Sequence, residues 1–293
     1  MSSHQLPAPR SAPARPGQAV RVSGLVKEFA TGTRALDGVD LEISAGETVV
    51  LLGANGSGKS TLLKCLTRLV EPTEGTLHLL GRDVRAAGRA ELSGLRREVG
   101  VVFQHINLVD QLSVLTNVVH GALGREHSPR TWFAMTARAE LREEAMEALG
   151  RVGLAHVAGR RAEQLSGGQR QRVAVARMLM QRPRMVLADE PVAALDPRAG
   201  RAVMDLLWEI AEERRLTLVC TLHQLPLARD YARRVVALRA GRVELDADIA
   251  VLADTELDGL YAAEREDEGL AGDLGTRTAA HRATGAHREA VDA

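Results

Sequence analysis

Aromatic residues are scarce in this sequence, since Phe, Trp and Tyr together make up 2% of its 293 residues. A protein that binds single-stranded nucleic acid by stacking bases needs more of them. The chain also lacks an excess of either charge, because it has 38 basic and 38 acidic residues. Contacts to nucleic-acid phosphates generally require a basic excess. Both deficits argue against a nucleic-acid partner, and we expect none.

Cysteine and long apolar stretches are equally scarce. Cys65 and Cys220 lie far apart and in no spacing typical of metal ligands, so we expect reduced cysteines in the protein core. No apolar stretch approaches the ~18 residues that cross a bilayer. The N-terminal region has no apolar core of the kind found in secretory signals, and we expect no such signal. Any action at a membrane should therefore depend on a partner.

Two terminal segments have compositions that do not support a core. Residues 1–18 are rich in Pro, Ala, Ser and Arg, and residues 263–293 in Ala, Gly, Thr, His and Arg. We predict that both are disordered tails, although the first, with arginines and no acids, also faintly resembles an organelle transit peptide. His281 and His287 form no metal-ligand spacing with His223, so we expect no metal in the second tail. Residues 19–262 then form the folded domain.

Five short apolar runs within this domain predict a parallel sheet. They are rich in β-branched residues and nearly continuous rather than alternating, which is typical of strands buried on both faces. The runs are residues 48–52, 99–103, 185–188, 216–220 and 235–238. Helical patterns such as 169–181 and 199–215 separate them, so the fold class is α/β. Residues 107–161 look almost purely helical and predict a helical subdomain.

A glycine-rich loop follows the first of these runs and precedes a helix predicted over residues 60–69. It matches the P-loop pattern and consists of Gly53, Ala54, Asn55, Gly56, Ser57, Gly58, Lys59 and Ser60, followed by Thr61. The glycines let successive backbone N–H groups point at phosphate oxygens, and the helix adds the positive end of its dipole. We predict that Lys59 neutralises β- and γ-phosphate charge and that the Ser60 hydroxyl binds Mg²⁺.

A second helix start has the features of an anion site without a lysine. It consists of Leu165, Ser166, Gly167, Gly168 and Gln169. Ser166 stands where an N-cap residue should, and the glycines leave backbone N–H groups open. Such a site cannot cradle a whole triphosphate, but it can close on a γ-phosphate that is held elsewhere. We therefore predict that it binds the other side of the same nucleotide.

Two carboxylates come at the end of a buried strand. Asp189 directly follows the run 185–188 and is well placed to hold Mg²⁺, directly or through water. Glu190 is adjacent and can polarise the attacking water as general base. The pair predicts a hydrolytic centre beside the glycine-rich loop.

These three motifs, in this order and spacing, resemble those of the nucleotide-binding domain of ABC transporters over residues 20–246. The resemblance implies a P-loop NTPase core sheet, a small antiparallel β subdomain and a helical subdomain of about residues 107–180 that carries the signature motif. It implies ATP and Mg²⁺ as cofactors. It also implies four further site residues, which are the Mg²⁺-sensing and Mg²⁺-binding Gln104, the D-loop residue Asp196, the γ-phosphate contact His223 and the adenine-stacking Phe29. The family usually has Tyr in place of Phe29.

The resemblance implies partners as well. Domains of this family pair head to tail, so the P-loop of one chain faces Ser166, Gly167, Gly168 and Gln169 of a second copy across ATP, and Asp196 crosses the interface. Closure would move two transmembrane permease subunits, which Gln104 contacts, and hydrolysis by Glu190 would reopen the pair. An extracytoplasmic substrate-binding protein acts indirectly. The chain would lie as a peripheral subunit on the cytoplasmic face of the inner membrane.

Finer resemblance points to the ATPases of phosphonate importers. It is carried by residues 104–109, 112–118, 121–124, 188–193, 222–224 and 228–231 and by the insertion around Trp132 and Phe133. Gln111, where a cation is usual, and Asp246-Ala247, where Asp-Gly is usual, depart from that family. We predict uptake of phosphonates, with phosphate, methionine or polar amino acids as alternatives. A non-transport ABC ATPase of DNA repair or the ribosome is less favoured, because the sequence has neither a long heptad run nor a second cassette.

Overall fold

The computed structural model describes residues 17–104, 106–126 and 128–252. The predicted tails lie outside these residues except at Gly17 and Gln18. Gln18 begins a strand, so the first strand starts at the last residue of the segment 1–18. Its side chain donates to Glu42 Oε2 at 2.9 Å across the strand pair. Composition does not predict this contact, because Gln18 is polar. The buried surface at the start of the strand comes from the neighbouring Ala19 and Val20.

Ten strands form two sheets within the described residues. In chain order the strands are β1 (Gln18–Glu28), β2 (Arg34–Ser44), β3 (Thr48–Leu52), β4 (Glu74–Leu79), β5 (Arg82–Asp83), β6 (Val99–Phe103), β7 (Met185–Asp189), β8 (Thr217–Thr221), β9 (Arg234–Arg239) and β10 (Arg242–Asp248). The α-helices are α1 (Lys59–Leu66), α2 (Arg89–Arg97), α3 (Val114–Val119), α4 (Ala139–Arg151), α5 (Gly167–Met180), α6 (Pro197–Glu213) and α7 (Leu225–Tyr231).

The larger sheet has the strand order β10-β9-β3-β8-β7-β6. Strands β9, β3, β8, β7 and β6 run parallel to one another and correspond to the five apolar runs of the sequence. Every residue of β7 and β8 is buried, as expected for strands covered on both faces. Strand β10 pairs antiparallel with β9 at the edge, and Asp246 and Ala247 lie within it rather than after it. The predicted α/β class is confirmed.

The smaller sheet has the order β2-β1-β4-β5 and is antiparallel throughout. Most buried residues of β2 alternate with exposed ones, so one face of the strand is turned to the core. That face packs into one hydrophobic cluster with α1 and β3; its members include Leu36, Val39, Leu41, Ile43, Val49, Leu51, Leu62 and Leu66. The predicted small antiparallel subdomain is thus attached to the core sheet through the helix that follows the P-loop.

The stretch 107–161 is less helical than the sequence predicts. Residues 106–113 contain no helix, α3 has only six residues, and short 3₁₀ turns occupy 120–122, 129–132 and 155–157. Gly121 and Gly124 and the proline at 129 interrupt the helical pattern, which apolar periodicity alone does not register. Helices α3, α4 and α5 nevertheless pack against one another. None of the helices in the described ranges is long and apolar enough to span a membrane.

Both cysteines are free and buried, as the sequence predicts. Burial raises the pKa of the Cys65 thiol to about 11. Burial, with a smaller contribution from the Asp189 carboxylate, raises the pKa of Cys220 further. Neither thiol is therefore ionised near neutral pH, and both behave as small apolar core residues.

Candidate active site

The register of the parallel strands brings the predicted site residues to one edge of the sheet. Phe103, Asp189 and Thr221 lie side by side at the ends of β6, β7 and β8, and Leu51 of β3 is level with Thr221. Because loops after parallel strands leave from the same edge, ligands of such sheets bind there. The predicted residues that follow these strand ends are Gln104, Glu190, His223 and Gly53.

The glycine-rich loop is built around a buried lysine. Lys59 is only 4% exposed, and its Nζ donates to Ala54 O at 2.9 Å and to Gly53 O. The Ser57 hydroxyl is also buried, and no hydrogen-bond partner lies within reach of it among the described residues. A lysine and an orphaned hydroxyl directed into one loop fit a phosphate cradle. Asn55 and Gly56 are exposed at its outer side.

Two glycines of this loop cannot be replaced without moving the backbone. Gly53 has φ +143°, and a Cβ there would lie 2.2 Å from Leu238 O. Gly58 has φ +108°, and its Cβ would lie 2.6 Å from Ala35 O. The loop is therefore held between β2 and β9, with α1 beginning directly after it. Thr61 lies in the first turn of α1, which contains no acidic residue to oppose an anion.

Asp189 is the centre of a small hydrogen-bonded network. Ser60 Oγ and Thr221 Oγ1 each donate to Asp189 Oδ1 at 2.9 Å. Thr221 Oγ1 also accepts a hydrogen bond from the backbone N–H of Glu190 at 2.8 Å. The network joins the P-loop helix, β7 and β8 around one carboxylate. Sequence reasoning missed Thr221; the available signal was a polar residue at the end of an otherwise apolar run.

The oxygen atoms of this network suit Mg²⁺, a hard cation that prefers hydroxyl, carboxylate and amide oxygens. Ser60, Asp189 and the exposed Gln104 supply these three kinds. Across the described ranges no group of three or more His, Cys, Asp or Glu side chains could hold a metal ion. A metal here would thus be held by few protein atoms, as is usual for Mg²⁺ that keeps waters and phosphate oxygens as ligands.

Glu190 and His223 meet beside this network. His223 Nδ1 lies 3.5 Å from Glu190 Oε2. Glu190 has φ +47°, a left-handed conformation that costs a non-glycine residue ~1–3 kcal/mol. The side chain of Glu190 is 14% exposed, while that of His223 is 40% exposed. The two predicted catalytic side chains are therefore together, at the rim of the site.

The residues of the signature motif, 165–169, form a regular helix cap at the start of α5. Ser166 is the N-cap of α5, its Oγ accepts from Gln169 N at 3.3 Å, and Gln169 Oε1 accepts from Ser166 N at 3.0 Å. Gly167 and Gly168 allow close packing against the same chain, since their Cβ atoms would lie 3.3 Å from Leu195 Cδ2 and 3.0 Å from Ala199 Cβ. The glycines therefore also seat α5 on the segment that leads into α6, a role that the sequence did not reveal.

Asp196 and Phe29 make their described hydrogen bonds outside the network around Asp189. Asp196 caps α6, with its Oδ1 accepting from Arg198 N at 3.1 Å and Ala199 N at 2.9 Å. Phe29 lies in the turn after β1, and its N–H donates to Thr33 O at 2.9 Å. Its ring is 39% exposed, with Lys27 Nζ 4.9 Å from its centroid. An exposed ring of this kind can stack a base on its open face.

The matches to known proteins cover the same motifs. The family described as "ABC transporter" matches residues 36–193, more than half of the chain. This chain belongs to the ABC transporter family. As an ABC ATPase it binds and hydrolyses ATP, and the predicted family, α/β P-loop fold and enzyme class are confirmed.

Relatives of this ABC ATPase match over most of their length. The phosphonates import ATP-binding protein PhnC of Frankia casuarinae is 54% identical over 78% of this chain and 89% of its own. The protein of the same name from Nocardia farcinica is 49% identical over 86% and 93%. The phosphate-import ATP-binding protein PhnC of Mycolicibacterium smegmatis is 52% identical over 78% and 87%.

Solved structures of ATP-binding cassettes have the same fold. The dimeric cassette MJ0796 in a post-hydrolysis state with ADP and Pi superimposes with a TM-score of 0.70 and 35% identity, over 78% of this chain and 98% of that one. CbiO1 of Clostridium perfringens, part of the transporter complex CbiONQ, has a TM-score of 0.72 and 31% identity, over 82% and 93%.

Proposed function

We propose that this ABC ATPase powers a bacterial importer of phosphonates and hydrolyses ATP as a head-to-tail dimer. The observation that supports hydrolysis is the hydrogen-bonded network of Ser60, Asp189 and Thr221. The backbone N–H of Glu190 donates to Thr221 in the same network. The substrate class is supported by relatives named as phosphonates import proteins at 49–54% identity.

ATP binding uses the P-loop and the turn after β1. The N–H groups of residues 54–61 and the Lys59 ammonium bind the β- and γ-phosphates, and Phe29 stacks on adenine. Ser60, Asp189 and Gln104 hold Mg²⁺. Bound there, the metal neutralises charge on the phosphate oxygens and fixes their orientation.

Glu190 carries out the proton transfer of hydrolysis. One of its Oε atoms accepts a proton from the attacking water as the water oxygen bonds to the γ-phosphorus. The bond between that phosphorus and the β–γ bridging oxygen breaks, so that ADP leaves with the electron pair and inorganic phosphate is formed. His223, 3.5 Å from Glu190 Oε2, holds this carboxylate in place and contacts the γ-phosphate. Thr221 fixes the Glu190 backbone through the hydrogen bond to its N–H, and the left-handed turn aims the side chain at the site.

A second copy of the chain completes each site. The N-terminus of α5 consists of Ser166, Gly167, Gly168 and Gln169, which make no described hydrogen bond to the carboxylate network of their own chain. In the dimer they close on the γ-phosphate that the partner's P-loop holds, and Asp196 lies at the interface at the start of α6. The dimeric MJ0796 cassette supports this arrangement.

Two transmembrane permease subunits are the further partners, and a substrate-binding protein outside the membrane acts through them. A groove of about 930 Å³ between the core sheet and the helical layer supports this. Its lining includes the apolar Leu69, Phe103 and Trp132, of which Leu69 is 53% and Trp132 57% exposed. Exposed apolar surface around a groove marks an interaction site. The chain then lies at the cytoplasmic face of the inner membrane, with Gln104 beside the groove.

Phosphate is the second candidate substrate, because the relative from M. smegmatis is named as a phosphate-import protein at 52% identity. Methionine, polar amino acids and a role outside transport remain weaker alternatives, since none of the relatives named above supports them. The tails 1–18 and 263–293 have no role in this proposal.

Uptake measurements separate these candidates. Cells that lack their own copy receive the wild-type chain, Glu190→Gln or the control Glu212→Gln, which changes an exposed carboxylate of α6. Uptake of labelled aminoethylphosphonate should be lost only with Glu190→Gln and be competed by unlabelled phosphonates but not by phosphate or methionine. Competition by phosphate at equal concentration would favour the phosphate importer. Normal uptake with Glu190→Gln would contradict the phosphonate assignment.

A further inference from the structure

Helix α5 binds the segment that follows Gln104, residues 106–113, through two arginines. Arg177 Nη1 donates to Asn107 O. Arg170 Nη2 lies 2.6 Å from Asp110 Oδ1. The two arginines are about two helical turns apart and so lie on one face of α5. This face of the helix therefore contacts the segment at two points, Asn107 and Asp110.

The segment is stiffened by a buried amide. Asn117 of α3 is fully buried. Its Oδ1 accepts from Val109 N at 2.8 Å, and its Nδ2 donates to Val109 O at 3.0 Å and Ser113 O at 3.1 Å. These bonds fold residues 109–113 around one side chain. A displacement at one end of the segment is therefore passed to the other end and to α3.

The C-terminal end of helix α5 is anchored to the core sheet. Gln181 Nε2 donates to the carbonyl oxygens of Arg96, Arg97 and Val99 at 2.8, 3.0 and 2.8 Å. These carbonyls lie where α2 leads into β6, the strand that ends next to Gln104. The other end of α5 begins at Ser166. The segment 106–113 thus connects the end of β6 to a helix whose C-terminal end is anchored to the core sheet and whose N-terminal end begins at Ser166.

Arg177 is partly buried and lines the groove between the core sheet and the helical layer. Burial lowers the pKa of its guanidinium. Within the described residues, no carboxylate lies within ion-pair distance of it. Partial removal of a cation from water costs free energy that one carbonyl contact offsets only in part, so this contact is a weak source of stability. Stability alone does not account for an arginine at this position.

We propose that Arg177 is a positioning residue for ATP hydrolysis, which couples the position of Gln104 to that of Ser166 by holding Asn107 against α5. This role rests on the proposed function, because both residues act on ATP there. When Gln104 moves towards the nucleotide, α5 moves with it, and its N-terminus reaches the ATP of the partner chain. Without Arg177, the two movements are independent, and fewer binding events lead to a closed dimer.

A double-mutant cycle on the purified full chain tests the coupling. Arg177→Met and Gln104→Ala are made singly and together, and kcat of ATP hydrolysis and the Kd for ATP are measured. The matched control is Arg172→Met on the same helix. Arg172 Nη1 donates to Val152 O at 3.2 Å within the helical layer and makes no described hydrogen bond to the segment 106–113. Dimer formation with ATP is measured in the Glu190→Gln background.

We expect Arg177→Met to lower kcat about tenfold and to leave the Kd for ATP within about twofold, because the P-loop is untouched. It should also weaken ATP-driven dimerisation. In the Gln104→Ala background the same change should alter kcat by less than about twofold, since residues in one network are not additive. Arg177→Lys, which keeps a donor, should recover most of the activity. Arg172→Met should change kcat by the same factor in the wild-type chain and in the Gln104→Ala chain.

An equal loss from Arg177→Met with and without Gln104 would overturn the coupling. If Arg177→Met does not fold by circular dichroism, Arg177→Gln, whose side chain is too short to reach Asn107, takes its place in the same cycle. If the wild-type chain hydrolyses ATP but the effects of Arg177→Met and Gln104→Ala on kcat are additive, only this role of Arg177 is contradicted. A wild-type chain without ATPase activity contradicts the proposed function and this role together.

Discussion

Thr221 Oγ1 and Asp189 Oδ1 lie 2.9 Å apart and connect the ends of two neighbouring strands. The same hydroxyl accepts a hydrogen bond from Glu190 N, so a single threonine holds both carboxylate residues of the site. Neither bond involves the nucleotide. The positions of the proposed metal-binding and proton-accepting groups are therefore fixed by β8, and the effect of changing Thr221 can be predicted.

Thr221→Val keeps the shape of the side chain and removes both hydrogen bonds. We expect kcat to fall about 10- to 100-fold, the range seen when a partner of a metal-binding side chain is lost. Thr221→Ser, which keeps the hydroxyl, should stay within a few-fold of wild type. Steady-state ATPase assays at saturating Mg²⁺ and ATP make the comparison. Equal rates for Thr221→Val and wild type would show that the network does not position the site.

Glu190→Gln removes the proposed proton acceptor while keeping the size of the side chain and its capacity for hydrogen bonding. ATP should still bind, because the P-loop is unchanged, and hydrolysis should fall by about 100-fold or more. The chain should then accumulate as an ATP-bound dimer on size-exclusion chromatography. Turnover at the wild-type rate would remove Glu190 from the role of general base. An ATP-bound variant that stays monomeric would contradict the sandwich instead.

Glu144 of α4 links the stability of the helical layer to pH. Burial on its own would raise its pKa, but hydrogen bonds from Arg182 and Arg125 outweigh burial and hold the pKa below its ordinary 4.5. A lowered folded-state pKa stabilises the fold above the unfolded-state value, and the contribution is lost as pH falls through the folded value. Glu144→Gln should therefore lower Tm at pH 7 by about 3 °C, and the difference should shrink below about pH 4.5.

Thermal unfolding from pH 7 to pH 3 measures this effect. Glu143→Gln, on an exposed neighbour in the same helix, is the control and should follow the wild type at every pH. A constant difference between Glu144→Gln and wild type across the range would mean that the ion pairs do not contribute through ionisation.

Gln171 and Gln181 form a natural pair for testing buried amides. Gln171 is 2% exposed, and among the described residues no acceptor lies within reach of its Nε2. Gln181 donates to three carbonyls. Gln171→Leu should therefore be neutral or stabilise the fold by about 1 kcal/mol, whereas Gln181→Leu should cost about 1–3 kcal/mol. Urea unfolding gives both values, and a large loss from Gln171→Leu would reveal a partner for its amide.

The sequence predicts the core sheet well because strands that are buried on both faces consist of continuous apolar runs, as β3 and β7 do. It also predicts the N-cap of α5, since Ser166 and Gln169 are local neighbours that satisfy each other. Thr221 is different. Its partners come from β7, and only the strand register brings them together, so a single polar residue at a strand end did not reveal the network.

Asp196 and residues 107–161 show two further limits of sequence reasoning. A short acidic motif does not distinguish a helix cap from an interface residue, and the structure displays the cap, with the interface role left as a proposal. In 107–161, helical periodicity extends across turns where the chain is folded around the buried Asn117. That fold depends on hydrogen bonds to the backbone of residues 109–113, which no pattern of side-chain polarity encodes.

The left-handed backbone of Glu190 restricts the routes by which this cassette could lose its activity. A single base change in a glutamate codon gives Gly, Asp, Ala, Lys, Gln or Val. Gly and Asp tolerate a positive φ, whereas β-branched Val is strongly disfavoured there. Inactive descendants that still fold should therefore be enriched in Gly and Asp at this position and depleted in Val. The backbone geometry at the proposed catalytic carboxylate thus also determines which of its replacements can be inherited in a folded chain.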